Sequence, residues 1–292
     1  MALDKNPISI VHAMAFPGPG QANIVSRGEA PAWYLLETIK LILDDPYFSG
    51  IEITQIKDSA LRKQVAELLV ASGKNVIYSA QPVQLLNEEQ IIAPTDISSS
   101  DELERRKAVV RLERCIDEAY ELGAKSMGLI SGKDPGTANG LQQRIAATEA
   151  LVRSLNELCN YAKGKAQELG REPLDLLLEQ FDRLNEPNCK NLLVGPSHEA
   201  IALARRLRDT YQQENFWLLY DLSHAPLLKH NSFDGEDPSI LRELAPYLGH
   251  VHVGNCVLER DDPSFGDSHP GFDYPAGAVS ADDLARFVTA LH

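Results

Sequence analysis

Seven short runs of apolar and β-branched residues, separated by longer stretches with helical spacing, limit what this chain can fold into more than any other feature. The runs are ISIVHAM (8–14), GIEITQI (50–56), NVIYSA (75–80), KSMGLIS (125–131), LDLLLEQ (174–180), NFWLLYD (215–221) and GHVHVGN (249–255). Most are apolar without strict alternation, as strands covered on both faces are, so the pattern reads as a parallel sheet packed between helices. Seven such units within 292 residues predict an α/β chain with a (β/α)8 TIM barrel, one domain over 1–292. The clearest helix runs from Asp101 to Leu122, with a capping box from Ser99 to Glu102. Val109, Leu112, Ile116 and Ala119 share one of its faces, and Gly123 stops it. A second helix covers Leu141 to Leu169 and ends at Gly170, and a last one runs from Ser280 to Leu291. The segment from Pro82 to Ser100 reads as a loop over one mouth of the barrel.

A doubly wound open sheet is the structural rival. Its dinucleotide signature is incomplete, because the PGPG after the first run supplies Gly18 and Gly20 but no third glycine and no helix at once. The barrel reading carries a difficulty of its own: no eighth strand follows the seventh run. An open barrel leaves apolar sheet edges on strands one and seven. The expectation is that the polypeptide continues past His292, or that a neighbouring chain or the N-terminal arm fills the gap. A homo-oligomer or a partner chain would serve.

Composition narrows the partners. A formal net charge of -14 argues against nucleic acid, whose binding draws on clustered Lys and Arg. No apolar run reaches the length of a membrane span, and the start MALDKNPISI lacks the basic then apolar layout of a secretory signal, so the chain reads as cytoplasmic with no membrane partner. Cys115, Cys159, Cys189 and Cys256 show no CxxC pairing and read as reduced thiols, of which only Cys256 is near the suspected chemistry.

That chemistry lies at the ends of the strands. In a barrel the C-terminal ends of the strands converge on one mouth, which gathers His12, Glu52, Glu179, Asp221 and His252. Glu179 closes an apolar run, Asp221 closes another, and period-two alternation puts His250 and His252 on one face. Singly, each has an ordinary reading as a solvated strand end, a helix cap or a satisfied histidine; Glu52 reads as structural. Carboxylates with one imidazole make a mostly hard donor set that suits Mn2+ or Mg2+, with Co2+ or Zn2+ as the alternatives. A metal there can polarise a sugar carbonyl beside a hydroxyl and stabilise the enediolate left when a carbon-bound proton is removed. Glu179, at the end of a buried strand, is the candidate general base.

LLLEQFDR, YDLSH, GHVHVGNC and GDSHPGFD together resemble the sugar isomerase and epimerase group with the xylose-isomerase-like barrel, over nearly the whole chain. The resemblance implies Glu179, Asp221 and His252 as metal ligands and His224 of the DxxH motif as a catalytic contact to substrate oxygens. It places Arg183 and Asn185 near the substrate. The group's fourth ligand, a glutamate on the eighth strand, has no counterpart here. Loop residues Arg260, Asp267 and His269 border the same place; His269 and His12 are substrate contacts, or else a solvated loop residue and a core histidine. The expected activity is a metal-dependent isomerase or epimerase of carbohydrate metabolism, acting on a small-molecule sugar by proton abstraction next to a carbonyl. The alternatives are a lyase or deglycosidase that expels the aglycone of a 3-keto glycoside, and a non-catalytic binding subunit. An abasic-site endonuclease on the same barrel is disfavoured by the acidic charge and by SAQP, which ends the third run without a histidine.

Overall fold

A computed structural model describes residues 7–17, 32–136, 140–186, 188–230, 233–234, 236 and 238–291. The strands are β1 (Ser9–Val11), β2 (Gly50–Thr54), β3 (Asn75–Ser79), β4 (Ser126–Ile130), β5 (Asp175–Gln180), β6 (Phe216–Asp221), β7 (Lys229–His230), β8 (Phe233–Asp234) and β9 (Leu248–His252). Seven of them form one sheet in the order β1-β2-β3-β4-β5-β6-β9, while β7 and β8 make a separate antiparallel pair. The pairs β1–β2, β2–β3, β3–β4 and β6–β9 are parallel. Sheet order thus follows chain order, as it must when each parallel neighbour is reached through a helical crossover. Each of the seven runs coincides with a strand of this sheet, β9 starting one residue before its run. From Gly18 on, the PGPG segment lies outside the described residues, as does His292.

The chain divides into two compact groups of segments. The first comprises Met1–Thr95, Lys107–Leu129 and Asn160–Leu176. In it β2 is buried at every position, and the helices Ala32–Asp44 and Ser59–Ser72 bury Leu35, Ile39 and Ile42 and Leu61, Val65 and Leu69, at helical spacing. The second helix is capped by Asp58, which accepts hydrogen bonds from the backbone N–H groups of Ala60 (2.8 Å) and Leu61 (3.0 Å). Glu52 is buried and accepts a hydrogen bond from the Ser79 hydroxyl.

His12 is not at a strand end. β1 stops at Val11 and His12 opens the helical turn His12–Ala15. It is buried, with Nε2 2.9 Å from Thr38 Oγ1. The Thr38 hydroxyl donates to the carbonyls of Tyr34 and Leu35, so it accepts from His12. Burial lowers the His12 pKa to about 4, leaving a neutral ring whose N–H is satisfied inside the helix packing.

The second group comprises Asp96–Arg106, Ile130–Cys159 and Leu177–His292. It holds the ends of β4 and β5 together with β6 and β9, and the buried Arg105, which donates to Glu102 (2.6 Å), Ser154 (2.9 Å) and Glu157 (2.8 Å). Two local readings need correction. The helix Glu102–Glu121 begins later than its capping-box reading required: Asp101, not Ser99, caps it by accepting the Glu104 N–H at 3.0 Å, and the Ser99 hydroxyl bonds the Glu104 carboxylate instead. The Pro82–Ser100 segment is not all loop, since it carries most of the short helix Gln81–Leu86 and all of Glu88–Ile92, started by Pro82 and by an Asn87 cap. The long helix Gly140–Leu169 ends as read, with Gly170 in the left-handed region at φ 63°. No helix among the described residues is long and apolar enough to cross a membrane.

Candidate metal centre

Three neighbouring strands deliver the site. Glu179 is the penultimate residue of β5, and Asp221 and His252 end β6 and β9, where the parallel register sets them side by side. The apolar bodies of β5 and β6 hold both carboxylates in the rim of the core, 3% exposed each. β9 is only half-buried, and the His252 side chain keeps 17% of its surface exposed. His252 Nδ1 lies 3.4 Å from Glu179 Oε1 and 3.8 Å from Asp221 Oδ2. His250, on the same face, meets His252 edge to face at 5.3 Å between ring centroids.

Around this triplet the DLSH turn after β6 adds Ser223 and His224. The His224 ring is buried against Phe181, centroids 3.9 Å apart, and its Nδ1 is 3.0 Å from the Gln180 carbonyl, which only accepts, so Nδ1 carries a proton. Its Nε2 stands 3.2 Å from Asp267 Oδ1 and 3.8 Å from Asp221 Oδ2. The Asp267 approach is not angled as a hydrogen bond and acts as an ion pair. Burial opposes a charge on His224, yet Asp221, Asp267 and Glu179 outweigh it and raise its pKa to about 10. Burial likewise opposes the Asp221 charge, and His224, His269 and His252 overcome it, holding that carboxyl far below the usual range.

The loop beyond β9 closes over these groups. His269 Nδ1 lies 3.2 Å from Asp267 Oδ1, and its Nε2 is 3.2 Å from Ser223 Oγ and 3.6 Å from Asp221 Oδ2. Its backbone is left-handed (φ 52°) directly before Pro270, a conformation that a non-glycine residue and a following proline both disfavour. The surrounding structure imposes it. Asn255, fully buried, accepts the N–H groups of Cys256 (2.9 Å) and Val279 (2.8 Å), and its amide reaches the Gly271 carbonyl (3.3 Å). Gly254 lets the loop pass close, since a Cβ there would stand 2.9 Å from His269 Cδ2.

The donor set fits a divalent cation. Ligand atoms roughly 2.1 Å from an ion, at tetrahedral to octahedral angles, stand roughly 3.0–3.4 Å from one another. His252 Nδ1 approaches that spacing to Glu179 Oε1 and to Asp221 Oδ2, and the three residues offer ligand atoms within 4.8 Å of one another. Asp221, His224 and His269 form a second grouping by the same measure. No cysteine belongs to a ligand grouping among the described residues, and burial pushes Cys256 up to about 12 and Cys189 up to about 11.

The remaining expected residues are placed differently. Arg183 is largely buried and spent on the protein, donating to the carbonyls of Leu192 (3.1 Å) and Leu193 and to Glu199, with Asp134 3.4 Å away. Asn185 is exposed on the loop that follows. Sequence reading passed over Ser223, Asn255 and Asp182, and gave Asp267 no role. Asp182 is fully buried and accepts the N–H groups of Lys190 (2.9 Å) and Asn191 (2.8 Å), fixing the loop that follows β5.

The description of a xylose isomerase-like TIM barrel family matches residues 46–290 of this chain. No curated protein matches it in sequence. Among solved structures it is similar to a D-tagatose 3-epimerase-like protein, at 14% identity over 98% of this chain and 86% of that one, with a TM-score of 0.64. It is similar to D-allulose 3-epimerase from Methylomonas sp., at 20% identity over 97% and 81%, TM-score 0.58. A third is D-psicose 3-epimerase from Clostridium cellulolyticum H10, at 20% identity over 87% and 76%, TM-score 0.55. At these identities the likeness speaks for the fold.

Proposed function

The chain belongs to the xylose isomerase-like TIM barrel family, and from that premise we propose that it is a divalent-metal-dependent carbohydrate epimerase or isomerase. The observation that carries this reading is the approach of Glu179 Oε1, Asp221 Oδ2 and His252 Nδ1 to one another at the ends of three adjacent strands. Sugar 3-epimerases of the same fold support the substrate class. Glu179, Asp221 and His252 would hold the ion, with Mn2+ or Mg2+ favoured by the two carboxylates. When bound, the ion supplies Lewis-acid polarisation of a sugar carbonyl.

The chain's own residues do the rest. Glu179 takes the proton from the carbon next to the carbonyl, held at the rim of a buried strand where bulk water does not compete. His224 stands beside it, Nδ1 3.7 Å from Glu179 Oε1, and steadies its charge. Among the expected substrate contacts, Asn185 is exposed and is the one that meets the sugar hydroxyls, because both ring nitrogens of His269 face protein groups. Arg183 holds the loop that carries Asn185.

The test is deuterium exchange. Protein loaded with Mn2+ is incubated with free ketohexoses and ketopentoses in D2O, with Glu179→Gln as control. The expected result is deuterium at the carbon beside the carbonyl, accompanied by the epimer or isomeric sugar, and none with the variant. Absence of exchange with Mn2+, Mg2+, Co2+ and Zn2+ alike rejects the proposal. Release of an aglycone from a 3-keto glycoside without interconversion of free sugars assigns the same first step to a lyase.

A further inference from the structure

Asp221 presents only one of its two oxygens to the ligand cluster, and the residue that decides which one is Ser223. The backbone N–H and the hydroxyl of Ser223 both donate to Asp221 Oδ1, each at 2.7 Å. Oδ2 is left facing His252 Nδ1 at 3.8 Å, His224 Nε2 at 3.8 Å and His269 Nε2 at 3.6 Å. Ser223 is fully buried, so no water substitutes for its hydroxyl. Its position is fixed from behind by the close pass of Gly254, where a Cβ would come within 3.1 Å of Ser223 Cβ.

The hydroxyl has one proton, and the nearer, charged acceptor takes it. Ser223 Oγ therefore accepts from His269 Nε2, 3.2 Å away. His269 Nε2 then carries hydrogen and is a donor rather than a ligand. This separates the two groupings that share Asp221: Asp221 with His224 and His269 lie close enough for an ion, but His269 is spent on Ser223. We propose that Ser223 and His269 form an orienting relay, His269 Nε2–H to Ser223 Oγ–H to Asp221 Oδ1, which makes Asp221 a single-oxygen ligand turned toward Glu179 and His252. Both are positioning residues for the metal ligand. The left-handed backbone of His269 is held against this contact by the Asn255 clamp. The inference rests on the metal reading of the site.

Co2+ provides a probe that needs no turnover, because its visible absorption reports affinity and coordination number together. Metal-free protein, Ser223→Ala, Ser223→Thr and His269→Ala are titrated with Co2+, and folding is checked by circular dichroism. Removing the hydroxyl leaves Asp221 Oδ1 held by the backbone N–H of residue 223 alone. Ser223→Ala is therefore expected to bind Co2+ about 10- to 100-fold more weakly, the usual effect of removing an outer hydrogen bond to a ligand. Its spectrum moves toward the weaker bands of higher coordination as the carboxylate turns to offer both oxygens. Ser223→Thr keeps the hydroxyl and stays within a few fold of the parent in affinity and band shape. His269→Ala retains binding, since the ring is not a ligand. Equal affinity and spectrum in the parent and Ser223→Ala, both folded, overturns the relay while leaving the metal site standing. Loss of binding in His269→Ala also overturns it, by making that histidine a ligand. Failure of the unsubstituted protein to bind Co2+, Mn2+ or Zn2+ overturns the metal reading and the relay with it.

Discussion

Gly254→Ala isolates the tightest contact in the site. The backbone there is not left-handed, so alanine meets no conformational penalty and the cost is steric alone. The new methyl would stand 2.9 Å from His269 Cδ2, 3.1 Å from Ser223 Cβ and 3.3 Å from Ser223 Oγ. Ser223 cannot retreat without breaking two 2.7 Å hydrogen bonds to Asp221. The His269 ring therefore moves. Turning it out of its rotamer costs about 0.5–1.5 kcal/mol, and the whole overpacking is worth about 1–3 kcal/mol. A double-mutant cycle in urea, with EDTA present, measures it against His269→Ala. Without the ring the 2.9 Å contact vanishes, and Gly254→Ala becomes cheaper by about 1 kcal/mol. Strict additivity of the two substitutions would show that the ring does not bear on Gly254, and would refute the packing on which the placement of His269 depends.

Saturating Mn2+ is expected to raise the unfolding free energy by about 2.7 kcal/mol at a hundred times its dissociation constant, and Asp221→Asn to abolish that gain; an equal gain in the variant excludes Asp221 as a ligand. The buried Glu118 accepts the Ile56 N–H at 2.6 Å, and its carboxyl is raised to about 7 chiefly by burial. The folded state binds its proton more tightly than the unfolded chain, so its stabilisation is complete below pH 4.5 and lost as pH rises through about 7; Glu118→Gln should gain on the parent by about 3 kcal/mol across that window, and a flat difference in urea titrations rejects it. His12, lowered to about 4, has the opposite sign: its contribution is complete above pH 6.5 and lost as pH falls through about 4, so His12→Asn flattens the acid limb of the stability curve where the parent declines. Asn255→Ala leaves the N–H groups of Cys256 and Val279 without their acceptor, at about 2–4 kcal/mol; hydrogen exchange at those two amides should accelerate, and unchanged protection would mean that the loop is held elsewhere.

The strands were legible because the sheet buries them and burial writes itself into composition. The centres of β5 and β6 are apolar because both faces are covered. Glu179, Asp221 and His252 stood out for the same reason, as polar residues interrupting or ending such runs. Ends of elements were harder to read. β1 stops at Val11 because the chain turns into a helix there, and nothing in ISIVHAM distinguishes a strand that continues from one that does not. The Pro82–Ser100 segment reads as a loop, where the structure uses Pro82 to start a helix.

The supporting shell was hidden for a different reason. Asp182 and Asn255 accept hydrogen bonds from backbone groups up to many residues away, and Ser223 donates to a side chain two residues back; such bonds impose no period on the sequence. Only Ser223 left a trace. An aspartate whose side chain accepts the N–H two residues on makes an Asx turn, and DLS directly after a strand is compatible with one. That turn fixes one carboxylate oxygen and thereby frees the other for a ligand. A DxxH motif at a strand end thus encodes more than two polar residues at a set spacing. In this chain the intervening Ser223 commits Asp221 to a single outward oxygen and His269 to a donor's role, so the identity of that one residue sets which of two overlapping groupings can take an ion.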